Sequence, residues 1–168
     1  MEIERKYLLK SLPENLEDYG KKEIEQGYLN RNPVLRIRRS NDKYILTYKM
    51  KKENVGEGMP ICNEELEAPL TEDAYLHLCE KVDNNLIVKT RYIIPYVSNG
   101  KEFTIELDVF HGKLEGLAFA EVEFESVEEA CSFIKPEWFG EDVSSDRRYR
   151  NGSLSLQEDL SIFNNPQQ

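Results

Sequence analysis

Ionic side chains recur at every second position in segment after segment of this 168-residue chain. The first set is Glu2, Glu4 and Lys6, within Met1-Glu2-Ile3-Glu4-Arg5-Lys6-Tyr7-Leu8-Leu9. In an extended strand, residues i, i+2 and i+4 point to one face. Two carboxylates and an ammonium therefore face one way, with Ile3 and Arg5 on the other side. Standing alone, such a strand reads as a solvated face. The pattern repeats, however: Arg36 with Arg38, Thr47 with Lys49 and Lys51, Glu65 with Glu67, Lys89 with Arg91, Glu106 with Asp108, and Glu121 with Glu123. Independent solvent faces have no reason to carry same-sign pairs strand after strand. The staves of a polar interior do.

An interior lined this way needs a partner. Lys6, Arg36, Arg38, Lys49, Lys89 and Arg91 repel one another and lose hydration unless something compensates them. A highly charged anion does so, because arginine forks match phosphate oxygens and lysine supplies point charge. The carboxylates call for divalent cations. Mg²⁺ and Mn²⁺ prefer oxygen ligands and bridge protein carboxylates to substrate phosphates. The lining thus predicts a metal–polyphosphate complex between opposing walls.

The elements that must carry these residues read as a mainly antiparallel β domain with two helical insertions. About eight strands with inward ionic sets predict a closed barrel, which removes sheet edges and leaves room for a small ligand. Glu23 to Asn30 is the second strand, with Gln26 and Tyr28 in phase. Asn32-Pro33 and Asn41-Asp42 are turns, and Ser98-Asn99-Gly100 is a hairpin signal. Thr71 caps a helix carrying Tyr75, Leu78, Cys79 and Val82 on one face. Ser126-Val127-Glu128-Glu129 has the form of a capping box, and that helix ends at Lys135-Pro136. Residues 53–60 read as a mobile loop. The organisation expected is a single tunnel domain over residues 1–160 and a flexible tail over 161–168.

Bulk properties narrow the partners. A net charge of −10 argues against a nucleic-acid surface or an anionic membrane. A mean hydropathy of −0.63 and the lack of a long apolar run argue against a transmembrane helix. The charged N-terminal strand leaves no apolar signal-peptide core. Cys62, Cys79 and Cys131 lack disulfide or zinc spacing, which suits reduced thiols in a cytoplasm. His77 and His111 form no ligand pair with them and read as structural or surface residues.

The ordered pairs resemble a known family. Glu2-x-Glu4-x-Lys6 resembles the ExExK signature of the CYTH superfamily, the triphosphate tunnel metalloenzymes. Arg36-x-Arg38, Thr47-x-Lys49, Glu65-x-Glu67, Lys89-x-Arg91, Glu106-x-Asp108 and Glu121-x-Glu123 look like its successive tunnel strands. Asp146-Arg147-Arg148-Tyr149-Arg150-Asn151 resembles its closing motif. Asn63 departs from the pattern, standing where many relatives carry a basic residue.

What the resemblance implies is an eight-stranded antiparallel tunnel that binds a triphosphate. Its basic wall maps onto Lys6, Arg36, Arg38, Lys49, Lys89 and Arg91. Its metal-binding carboxylates map onto Glu2, Glu4, Asp108, Glu121 and Glu123, for two Mg²⁺ or Mn²⁺ ions with substrate. Glu121, Glu123, Asp108 and Lys89 form the implied catalytic set. Tyr28 is a candidate to position Lys89, with a packed strand tyrosine as the alternative. The chain most resembles small bacterial inorganic tripolyphosphatases, which implies hydrolysis of tripolyphosphate to pyrophosphate and phosphate by a metal-activated water. The alternatives are a class IV-type adenylate cyclase, a thiamine triphosphatase, and a non-catalytic polyphosphate sensor. The expected partner is a small-molecule triphosphate, with no nucleic acid or membrane. Oligomeric state stays open, a homodimer included.

Overall fold

The computed structural model describes residues 1–51 and 60–164. Nearly all of the loop read over residues 53–60 lies outside them. Eight strands close a ring: β1 (Glu2–Leu9), β2 (Gly20–Arg31), β3 (Val34–Ser40), β4 (Lys43–Lys51), β5 (Ile61–Leu70), β6 (Asp83–Ser98), β7 (Lys101–Phe110) and β8 (Ala118–Phe124). Around the barrel the order is β5-β4-β3-β2-β6-β7-β8-β1, and β5 pairs back onto β1. Every ladder is antiparallel. The closed eight-stranded barrel expected from the alternation is the fold.

The closing seam is short, because β5 pairs only with Glu2, Ile3 and Glu4 of β1. Beyond it, the free edge of β1 is taken by β9 (Phe139–Asp142), with Tyr7 opposite Asp142 and Leu9 opposite Phe139. The sequence reading missed β9, since four residues are too few to show a period of two. It also set the second strand too short: β2 begins at Gly20 and ends at Arg31. The β6–β7 hairpin turns at Asn99 and Gly100, both at positive φ, as a two-residue loop matched to strand twist requires.

Three short helices decorate the barrel: α1 (Glu72–Cys79), α2 (Val127–Ser132) and α3 (Asn151–Leu154). Thr71 Oγ1 accepts from the Ala74 amide at 3.2 Å, and Ser126 Oγ from the Glu129 amide at 3.1 Å. Both predicted N-caps form. α2 ends well before Pro136, because Phe133 turns to extended backbone and inserts its ring beside Phe103 and Phe124, at 5.2 and 5.3 Å between centroids.

The packing is inverted relative to an ordinary barrel. Ile3, Tyr7, Ile94, Ile105, Leu107, Ala120, Val122 and Phe124 point outward and are buried beneath α2 and the β9 segment. The inward faces of the same strands carry the ionic set. One end of the interior is filled by a second apolar cluster, in which Tyr28, Ile87, Phe110 and Phe119 from the strands meet Tyr149 and Leu154 from the C-terminal segment. That segment continues through a turn at Ser161–Phe163, where Phe163 stacks on Tyr149 at 4.6 Å. Among the described residues, no helix is long and apolar enough to cross a membrane.

Candidate functional site

Register decides which side chains share the interior, since directly opposed residues project to the same face. Lys6 opposes Glu121, Glu121 opposes Glu106, and Arg91 opposes Asp108. Arg36 opposes Tyr28 and Thr47, Arg38 opposes Gln26, and Lys49 opposes Glu65. All six cations of the basic wall therefore face inward, as do Glu2, Glu4, Glu65, Glu67, Glu106, Asp108, Glu121 and Glu123. Lys51 is exposed. β2 contributes more than the alternation suggested. Lys22, opposite Arg91, and Gln26 also lie on the lining face.

Above the aromatic floor the charges are tightly paired. Lys89 and Asp108 are fully buried, with Lys89 Nζ donating to Asp108 Oδ2 at 2.5 Å. Arg91 grips the same carboxylate from the other side, through Nε to Oδ1 at 2.7 Å and Nη2 to Oδ2 at 2.8 Å. Arg91 also reaches Glu121 at 2.8 Å and pairs with Glu106. Lys6 Nζ lies 3.0 Å from Glu121 Oε1, donates to the Tyr149 carbonyl at 2.8 Å, and sits 4.5 Å over the Phe119 ring. Both oxygens of Asp108 are thus committed to cations, and so are both of Glu121.

The pairing sets the protonation states. Burial alone would raise the Glu121 carboxyl, but Lys6 and Arg91 hold it well below the usual carboxylate range. Asp108 is lowered in the same way, with Arg91 and Lys89 overcoming its burial. Burial pushes Lys89 down to about 8 despite Asp108 beside it. Arg38 is pushed down to about 10, by burial and then by Arg36 and Arg91.

Nearer the open end, the ions are less complete. Lys49 pairs with Glu2 and lies 3.5 Å from Glu65; burial opposes its charge, but Glu4 and Glu2 raise it. Asn63 Nδ2 donates to Glu2 Oε2 at 3.1 Å, so the neutral residue on this strand holds a carboxylate. Arg36 donates from Nη2 to Thr47 Oγ1 at 3.0 Å, and its nearest carboxylate, Glu67, is at 4.0 Å. Its buried Nε has no hydrogen-bond partner. Glu4 is the acidic counterpart. Its side chain makes no hydrogen bond or ion pair among the described residues, and burial, followed by Glu121, pushes it up to about 7. Glu123 stands directly opposite Glu4; its side chain reaches solvent, and partial desolvation with Glu106 and Glu2 raises its carboxyl.

Tyr28 takes a different partner from the one considered for it: its hydroxyl accepts from Gln26 Nε2 at 3.2 Å. Lys89 instead has Asn151 Oδ1 at 3.4 Å, from the C-terminal segment. Gln26, Tyr149 and Asn151 are the lining contacts that sequence reasoning left without a role. Gln26 was in phase with Tyr28, but nothing in a single neutral side chain marks it as a partner of Arg38. His77 is exposed, and His111 sits outside the lining with Nε2 at 2.7 Å from Thr90 Oγ1.

Among the described residues, no three His, Cys, Asp or Glu side chains converge as a preformed ion cage. The donor chemistry nonetheless suits a hard divalent cation. Glu4 and Glu123 are opposed carboxylates on the lining, with Glu121 and Glu2 raising the Glu4 pKa. Mg²⁺ in particular is held by one or two carboxylates, with substrate oxygens completing the shell, rather than by an all-protein cage.

The CYTH domain matches residues 1–156. An inorganic triphosphatase of Nitrosomonas europaea is 36% identical over 159 residues, covering 92% of this chain and 97% of its own. An inorganic triphosphatase of Acetivibrio thermocellus is 36% identical over 133 residues, or 77% of each chain. A solved inorganic triphosphatase superposes with a TM-score of 0.66 at 32% identity, over 95% of this chain and 97% of its own. A more distant Hippeastrum structure, at 18% identity and a TM-score of 0.54 over 77% and 82% of the two chains, shares the fold. With its barrel, its ionic lining and a domain match over nearly its whole length, the chain belongs to the CYTH domain family.

Proposed function

We propose that this chain is a divalent-metal-dependent triphosphatase that hydrolyses inorganic tripolyphosphate to pyrophosphate and phosphate inside the barrel. One observation carries the reading: the lining holds a buried Arg36 Nε–H without an acceptor and a half-buried Glu4 carboxylate that no cation contacts directly, Lys49 and Lys6 acting on it only from a distance. A polyphosphate supplies the first and a divalent metal the second. The relatives bearing the name inorganic triphosphatase support the same chemistry.

Metal dependence is general among CYTH triphosphatases. Mg²⁺ or Mn²⁺, two ions with substrate, is the form proposed for this chain. Glu2, Glu4 and Glu123 are the proposed holders; Glu121 and Asp108, whose oxygens are all committed to cations, would join them only if those contacts opened. When bound, the metal neutralises phosphate charge and lowers the pKa of a coordinated water.

The protein's own residues supply positioning, which dominates phosphoryl transfer. Arg36, Arg38 and Lys49 grip non-bridging oxygens. Lys6, Lys89 and Arg91, held by Asp108 and Glu121, balance the negative charge deepest in the barrel. Water attacks the terminal phosphorus, the bridging P–O bond breaks, and pyrophosphate leaves with that oxygen. Glu123, whose carboxyl is raised, orients the water and accepts its proton, Glu121 fixes Lys6 and Arg91 beside it, and Lys89 stabilises the departing charge. The small triphosphate is the proposed partner, residues 1–160 are the proposed unit of function, and the cytoplasm is the proposed compartment, which three free thiols suit.

The test offers purified protein tripolyphosphate, thiamine triphosphate and ATP with Mg²⁺ or Mn²⁺, following phosphate, pyrophosphate and cyclic AMP. Fastest release of phosphate and pyrophosphate from tripolyphosphate is the expected result. Cyclic AMP with pyrophosphate from ATP overturns it in favour of a cyclase, and binding without turnover in favour of a sensor.

A further inference from the structure

Arg38 is held differently from the other deep arginine. Arg91 is surrounded by Asp108, Glu106 and Glu121. Among the described residues, Arg38 has no carboxylate partner. Its hydrogen bond runs from Nε to Gln26 Oε1 at 2.9 Å. Gln26 is fully buried, and its amide nitrogen is used in turn on the Tyr28 hydroxyl at 3.2 Å. Tyr28 is itself buried in the floor cluster that includes Tyr149 and Leu154. The amide orientation is therefore fixed at both ends: oxygen to the guanidinium, nitrogen to the phenol.

The choice of a neutral acceptor has a chemical consequence. A guanidinium carries five N–H donors in a rigid fork. A carboxylate at this point would engage the fork and cancel its charge before any ligand arrived. An amide oxygen fixes the plane of the fork through Nε, leaves the delocalised charge uncancelled, and leaves the N–H donors of both terminal nitrogens for a ligand. We infer that Gln26 is a positioning residue for tripolyphosphate: through Tyr28 and the aromatic floor, it presents Arg38 to the substrate as an oriented, unneutralised fork. This inference rests on the proposed anion-binding role of the barrel and adds a residue to it.

The experiment compares wild type, Gln26→Met and Gln26→Glu, each with and without Arg38→Ala. Tripolyphosphate binding in EDTA is read by calorimetry and metal-dependent turnover by phosphate release, with thermal melting as the folding check. Gln26→Met keeps the length of the side chain and removes the acceptor. It is expected to weaken binding and raise KM by about tenfold, the scale of a lost hydrogen bond to a charged group, with kcat changed less. Gln26→Glu is expected to weaken binding at least as much, because it neutralises Arg38. In the Arg38→Ala background both substitutions are expected to have little further effect. In the ligand-free protein, ¹⁵N spectra should show the Arg38 Nε–H exchanging faster in Gln26→Met than in wild type.

Unchanged binding in Gln26→Met, equal losses with and without Arg38, or tighter binding in Gln26→Glu overturns the inference. Failure of the wild type to bind or cleave tripolyphosphate overturns the functional reading instead. In that event, an Arg38 Nε–H signal unmoved by Gln26→Met overturns the positioning role as well.

Discussion

Glu4 on β1 and Glu123 on β8 stand directly opposite each other across an antiparallel ladder, both on the lining face. Like charges so placed destabilise a sheet. At Glu4 partial burial and the charges of Glu121 and Glu2 add to this, and Lys49 and Lys6 offset it only in part. A divalent cation between the two carboxylates would relieve that repulsion.

Burial of Glu4, and after it the charges of Glu121 and Glu2, makes stability depend on pH. Glu4 has an ordinary value of 4.5 and is pushed up to about 7 in the fold. Between those values the folded state holds more protons than the unfolded one, so stability falls as pH rises and levels off above about 7. Glu123, also raised, acts in the same sense. Asp108 and Glu121 are lowered, so their stabilisation is lost only at more acid pH. In EDTA, urea unfolding should show wild type losing up to about 3 kcal/mol between pH 5 and 8. Glu4→Gln should flatten the curve and abolish most turnover. A steeper fall in Glu4→Gln contradicts the assignment.

Asp108 is the keystone of the deep pairs, bound by both Lys89 and Arg91. Asp108→Asn turns one acceptor into a donor facing cations, leaving buried charge uncompensated. A loss on the order of 3–5 kcal/mol is expected by denaturant titration, together with severe loss of turnover. An unchanged unfolding midpoint is the contrary result.

Arg36 presents the opposite case. Its Nε has no partner in the free protein, and its remaining hydrogen bond is to Thr47. Arg36→Met should therefore change stability by less than about 1 kcal/mol while raising the KM for tripolyphosphate roughly tenfold to a hundredfold. Large destabilisation without a KM effect would assign this arginine to the fold rather than the substrate.

Much of this site was legible because β alternation carries ionic identity strand by strand. Six cations and the acidic pairs could be assigned a face from parity alone. Pairing could not be read that way: that Asp108 and Glu121 are committed to cations while Glu4 is left alone depends on register and depth. β9 was invisible because its four residues form a strand only where β5 leaves the edge of β1 open. Gln26 was missed for a related reason, since its role depends on facing Arg38 across a ladder.

α2 provides a control away from the lining. Ser126 caps its amide end, and the Glu129 carboxylate accepts from the Glu125 amide at 2.8 Å. Ser126→Ala should cost about 1 kcal/mol in thermal or urea unfolding. Turnover under native conditions should be unchanged. A loss of activity without loss of stability would tie α2 to the reaction.

The most direct measurement is a crystal structure with Mn²⁺ and tripolyphosphate, locating the metal by anomalous scattering. The account predicts Mn²⁺ at Glu4 and Glu123, with phosphate oxygens on Arg36 and Arg38 inside the barrel. Manganese only on exterior carboxylates, with Glu4 still unpartnered and no phosphate on Arg36 or Arg38, would contradict it.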